Sequence, residues 1–73
     1  MDDPRINVYG SGTEITIAAN AAGLRYLAER LIGLSDPELG AGYHEHLEGG
    51  MDLEDGSISL ILERDDKLAA DRT

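Results

Sequence analysis

The chain has no cysteine, no tryptophan and no phenylalanine. Without cysteine there is no disulfide framework, no thiolate nucleophile and no Cys-based zinc module. The absence leaves the redox compartment open. Without Phe or Trp, and with only three tyrosines, the core has to be thin and built from Ile, Leu, Val and Ala. Long apolar runs are also missing: no stretch is able to cross a bilayer, and MDDPRINVYG has neither the basic start nor the apolar run of a signal peptide. A cytoplasmic location is expected by default.

Basic residues are scarce. Six Lys and Arg oppose fifteen Asp and Glu, giving a formal net charge of -9. Such a chain repels phosphate, so direct binding to DNA, RNA or an anionic membrane is excluded as a function class. The acidity serves either solubility or the steering of a basic protein partner. It is also uneven. From Asp36 to Asp66 the acids are Asp36, Glu38, Glu45, Glu48, Asp52, Glu54, Asp55, Glu63, Asp65 and Asp66, opposed only by Arg64. Earlier in the chain Arg5, Arg25 and Arg30 roughly balance a few acids.

What is present is enough for one small domain. A chain of 73 residues removes about 60% of its unfolded surface on folding. Period-two patterning predicts strands over 5–9 and 13–19, with Ile6 and Val8 on one face, then Ile15, Ile17 and Ala19. Gly10-Ser11-Gly12 is the expected hairpin connection. Asn20 stands at an N-cap position, and the period then changes to helical: Leu24, Leu27, Ala28, Leu31 and Leu34 form a stripe. Three residues after Asn20 comes Gly23, so no capping box forms. Asp36-Pro37 stops the helix, and Pro37 could open one short extra turn.

A third strand is predicted over 43–48, an acidic glycine-bearing loop over 49–56, and a fourth strand over 57–63 with Ile58, Leu60 and Leu62 inward. The fold class expected is therefore α+β, with two layers: strand, strand, helix, strand, strand. One helix covers one face of a four-stranded sheet, and a grasp-like strand order 2-1-4-3 fits the connections. Residues 1–64 form the single domain and 65–73 a charged, flexible tail.

GYHEHLEGG is the most unusual stretch. On a strand, Tyr43, Glu45 and Leu47 share one face and His44, His46 and Glu48 the other. The second set contains two imidazoles and a carboxylate, a weak candidate set for zinc; two solvated histidines, with Ser57 or Ser59 across the strand, are the ordinary reading. Glu45 is out of place on a face meant for the core. Asp52, Glu54 and Asp55 cluster near Gly56 without the twelve-residue spacing of a calcium loop. No nucleophile is placed beside an oriented base, so no enzyme activity is expected, and no cofactor is implied. Tyr9, Thr16, His44, His46, Ser59 and Ile61 gather on the uncovered face, a mixed surface suited to recognition or to a homodimer interface.

The segments EITIAANAAGLRYLAERLIGL, GYHEHLE and LEDGSISLILE resemble those of small bacterial immunity proteins of polymorphic toxins, in the family numbered thirty-two. The resemblance spans about Glu14 to Glu63. The matching positions in the later segments are Tyr43, His44, His46, Glu54, Gly56 and Ser57, and Glu45 stands where an apolar residue would be expected. The resemblance implies a binding protein that neutralises a cognate toxin domain by direct contact. The partner expected is a basic protein domain, with His44, His46, Asp52, Glu54 and Asp55 as the contact residues. The alternative is a structural or regulatory module self-associating through the open sheet face.

Overall fold

The computed structural model describes residues 3–70. Its elements are β1 (Ile6–Ser11), β2 (Glu14–Ala19), α1 (Ala21–Leu34), β3 (His44–Leu47), β4 (Leu60–Glu63) and one helical turn, α2 (Lys67–Ala70). The α+β class and the order of the first five elements are those the sequence patterning predicts. α2 falls in the stretch expected to be a tail; the expectations for residues 1–2 and 71–73 lie outside the described residues. Among the described residues no helix is long and apolar enough to cross a membrane.

The single four-stranded sheet is corrected. β1 pairs with β2 and β3 pairs with β4, each antiparallel, as two separate two-stranded sheets. The reason lies in the stretch that should have joined them. Glu54 N donates to Ile6 O at 2.7 Å and Ile58 N to Val8 O at 2.9 Å, so this stretch runs alongside β1. In a parallel ladder, acceptors two residues apart meet donors two residues apart. Here the donors are 54 and 58, and the excess is taken up by a turn at Asp55-Gly56, where Ser57 N bonds Glu54 O and Gly56 adopts φ +84°. Ser57 substitutes its side chain for the missing rung: its Oγ accepts from Val8 N at 3.1 Å and donates to Asn7 Oδ1 at 3.1 Å. The fourth strand consequently begins at Leu60 instead of Ser57.

Hairpin β1–β2 turns one residue later than the glycines suggest. β1 continues through Gly10 and Ser11, and Ser11 pairs with Glu14. Gly12, φ +64°, occupies the first central position of the two-residue turn, where a positive φ excludes most side chains.

Asn20 caps α1 as expected. Its Oδ1 accepts from Gly23 N at 2.7 Å and also from Arg5 N at 3.0 Å, while its Nδ2 donates to Asp3 O at 2.9 Å. One side chain thus starts the helix and fixes the entry to β1. At the other end Arg64 Nη1 donates to Leu34 O, the last carbonyl of the helix, at 3.0 Å and to Asp36 O in the turn that follows at 2.6 Å.

The core is Ile6, Val8, Leu27, Leu47 and Leu53, with Ala19, Tyr26, Leu60 and Leu62 packed against it. Each fully buried aliphatic side chain contributes about 1.5–3 kcal/mol. Leu53 comes from the acidic, glycine-bearing loop; it is 3% exposed, so the loop is anchored. Conversely, Ile15, Ile17, Leu24, Leu31 and Ile58, all expected inward, remain about half exposed. The helix seals β1 and the β3–β4 hairpin and leaves β2 largely uncovered.

Candidate functional site

The pairs of β3 with β4 are His44 with Glu63, Glu45 with Leu62, His46 with Ile61 and Leu47 with Leu60. Paired residues share a face, so Leu47, Leu60 and Leu62 define the core side and His44, His46 and Ile61 the outer side. The predicted facing of the histidines holds. The strand itself is shorter: Tyr43 precedes it, is 55% exposed, and does not enter the core as its alternation suggested.

The imidazoles touch each other edge to face, centroids 5.0 Å apart, closer than two residues on one strand face ordinarily sit. His44 Nδ1 donates to Gly42 O at 3.1 Å, which turns its other nitrogen away from the backbone. The ring borders a depression lined by Ala41, Gly42 and Tyr43. Ser57 and Ser59 are not the cross-strand partners of the histidines; Glu63 and Ile61 are. Glu48 lies beyond β3, and its carbonyl accepts from Met51 N and Leu53 N. Among the described residues no group of three or more His, Asp or Glu side chains could hold a metal ion, so His44, His46 and Glu48 are not brought together as ligands.

Glu45 points to the covered side because the helix supplies it with a cation. Arg30 Nη1 lies 3.4 Å from Glu45 Oε1, and the same guanidinium lies 4.7 Å above the ring of Tyr26. Tyr26 in turn donates its hydroxyl to Asp52 Oδ1 at 2.8 Å. Strand β3, helix α1 and the acidic loop are joined by this series of side chains. A signal was available in the sequence: Tyr26 and Arg30 are one turn apart on the helix, beside the apolar stripe. The hydrogen bond to Asp52, then burial, raises the pKa of Tyr26 above its ordinary value.

The acidic loop is wound around Leu53, with a bridge from Gly49 to Leu53 and a bond from Gly50 N to Leu53 O at 2.8 Å. Its three predicted contact acids differ. Asp52 is held by Tyr26, and Glu54 is ion-paired with Arg5 at 2.7 Å, whose hydrogen bond lowers the pKa of Glu54. Asp55 is exposed at the turn. The loop therefore presents carboxylates whose positions are partly fixed in advance by neutralising or donating neighbours.

The uncovered face divides with the sheets. Tyr9 and Thr16 face each other across β1–β2, while His46 and Ile61 do so across β3–β4. Tyr9 is 49% and Ile61 59% exposed.

Searches of curated proteins and of solved structures return no match to the chain. The sequence profile of the family described as Immunity protein 32 matches residues 14–65. That span starts with β2, includes α1, the histidine strand and the anchored acidic loop, and runs past β4. With well over half of its length matched, including the histidine strand and the acidic loop, the chain belongs to the Immunity protein 32 family.

Proposed function

We propose that this protein neutralises a bacterial toxin domain by binding it directly, through the surface formed by the acidic loop and the outer side of β3. The membership in an immunity-protein family carries the reading. It is supported by the position of the acids: the chain's negative charge is concentrated between Asp36 and Asp66, where the loop and both histidines lie. A basic toxin domain is drawn to such a surface, which raises the association rate more than the final affinity. His44 and His46 supply aromatic, hydrogen-bonding contacts beside the carboxylates. We read the action as binding and not turnover; the Ser57 hydroxyl is engaged with Val8 N and Asn7 Oδ1.

The experiment takes as probe the C-terminal domain of any secreted protein encoded immediately upstream of this chain and measures association kinetics at several salt concentrations. Asp52 and Glu54 also serve the fold, so the charge reversals are placed at the exposed Glu48 and Asp55. Glu48→Lys with Asp55→Lys should slow association roughly tenfold at low salt and flatten its salt dependence. His44→Ala with His46→Ala should speed dissociation. Binding that ignores salt and charge would remove the acidic-loop mechanism, and absence of any binding would remove the immunity reading itself.

A further inference from the structure

β2 is the outer strand of its sheet, and its free edge is unguarded. Ile6 and Val8 direct their backbone groups away from β2, towards Glu54, Ser57 and Ile58. Alternation in an antiparallel ladder then turns the N–H and C=O groups of Ile15 and Ile17 outward, and nothing among the described residues bonds them. Free edges are usually blunted by lysine, proline, a bulge or a covering element. EITIAA has none of these: it contains neither lysine nor proline, its pairing with β1 is unbroken, and every residue but the last is exposed.

The side chains along this edge are apolar. Ile15 and Ile17 share the helix-side face with Val8, at 59% and 44% exposure. Leu24 and Leu31 lie on one ridge of α1, about a sixth of a turn from the buried Leu27 and Leu34 and on the opposite side of them from Tyr26, which faces the acidic loop; Leu31, near the end of the helix, also borders Ile61 and Leu62 of β4. They are 54% and 53% exposed. An unpaired row of backbone groups flanked by aliphatic side chains fits an added strand.

Charge says which strand. Up to Ser35 the acids Asp2, Asp3, Glu14 and Glu29 face Arg5, Arg25 and Arg30, so this half is close to neutral. A basic partner gains nothing here; it is attracted to the other half. β2 carries a single charge, Glu14, at one end.

We propose that β2 pairs antiparallel with β2 of a second copy of this chain, producing one continuous four-stranded sheet with the order β1-β2-β2-β1. A two-fold axis at Thr16 pairs Ile15 of each copy with Ile17 of the other, places the two copies of Glu14 at opposite ends and brings the exposed isoleucines together. It also puts the two acidic halves on the far flanks, so pairing leaves the toxin-facing surface of each copy open. The inference does not rest on the toxin reading.

Sedimentation equilibrium of the full chain from about 10 µM to about 1 mM tests it, the range in which a small interface is populated. The mass should rise from monomer towards dimer. Ile17→Lys should weaken the pairing by roughly tenfold or more, as an edge lysine blocks strand addition, whereas Ile61→Lys on the outer side of β4 should not. Amide exchange gives a reading that needs no variant: the N–H groups of Ile15 and Ile17 should exchange more slowly as the native chain is concentrated. A native chain still monomeric at about 1 mM overturns the proposal. A dimer insensitive to Ile17→Lys but lost in Ile61→Lys overturns it in favour of the uncovered face, and a monomeric chain whose toxin binding is lost in Ile17→Lys assigns the edge to the toxin instead.

Discussion

Gly23 is the residue on which the closest packing depends. A Cβ at this position would lie 2.6 Å from Arg5 O, 2.9 Å from Ile6 Cγ1 and 3.1 Å from Ala19 Cβ. Ala is the better helix former by about 1 kcal/mol, yet overpacking of this kind costs about 1–3 kcal/mol, and the nearest obstacle is backbone that cannot rotate aside. Gly23→Ala should therefore lower stability in urea denaturation, although helix propensity alone forecasts a gain. A second prediction concerns Arg5 and Glu54. Their hydrogen bond holds the pKa of Glu54 below the usual glutamate value. A depressed carboxylate pKa adds stability above its unfolded value, and that contribution disappears as the pH falls through the folded one. Native protein should thus lose stability below about pH 4.3 more steeply than Arg5→Ala, by a small margin because both groups are solvated. Urea midpoints across the acid range would show it. Glu45 belongs to the same scale: sequence alternation marks it as misplaced, but only the fold brings Arg30 to it.

Among the elements, the junction between the two sheets has one hydroxyl standing between its two backbone bonds. Val8 is fully buried, and its N–H is satisfied by Ser57 Oγ. Ser57→Ala leaves that donor without a partner and should cost about 1–3 kcal/mol, while Ser59→Ala, on an exposed residue nearby, should be close to neutral; thermal unfolding of the pair separates the two. Legibility also sorts by element. The helix was readable from sequence to its boundaries, since Asn20, the 3.6-residue period and Asp36-Pro37 are all local signals. The facing of His44 and His46 was readable because period two is local as well. The split sheet was not, because Ser57 reads as an ordinary strand residue until β1 is beside it. The burial of Leu53 was hidden for a related reason: a lone leucine among Asp52, Glu54 and Asp55 has no period, and only the Gly49 bridge brings it beneath Leu27 and Leu47.

For the molecule as a whole, a net charge of -9 on so small a body produces self-repulsion that opposes folding. The three ion pairs among the described residues, Arg5 with Glu54, Arg30 with Glu45 and Arg64 with Asp66, are all at least partly exposed, so they offset little of it. Screening should dominate: the melting temperature is expected to rise when sodium chloride is increased from about 20 mM to about 300 mM, and a fall would mean that those pairs outweigh the repulsion. If the acidic loop binds a basic toxin domain as proposed, the same salt should weaken that binding, so stability and affinity move in opposite directions. One further consequence follows from Arg64, whose guanidinium closes the end of α1 from a position 30 residues beyond Leu34. During synthesis the ribosome delivers the hairpin and the helix first, with the helix's final carbonyls still hydrated, and neither Leu47 nor Leu53 yet there to cover Leu27. The nascent chain has to wait for its later segment before the end of the helix can lock.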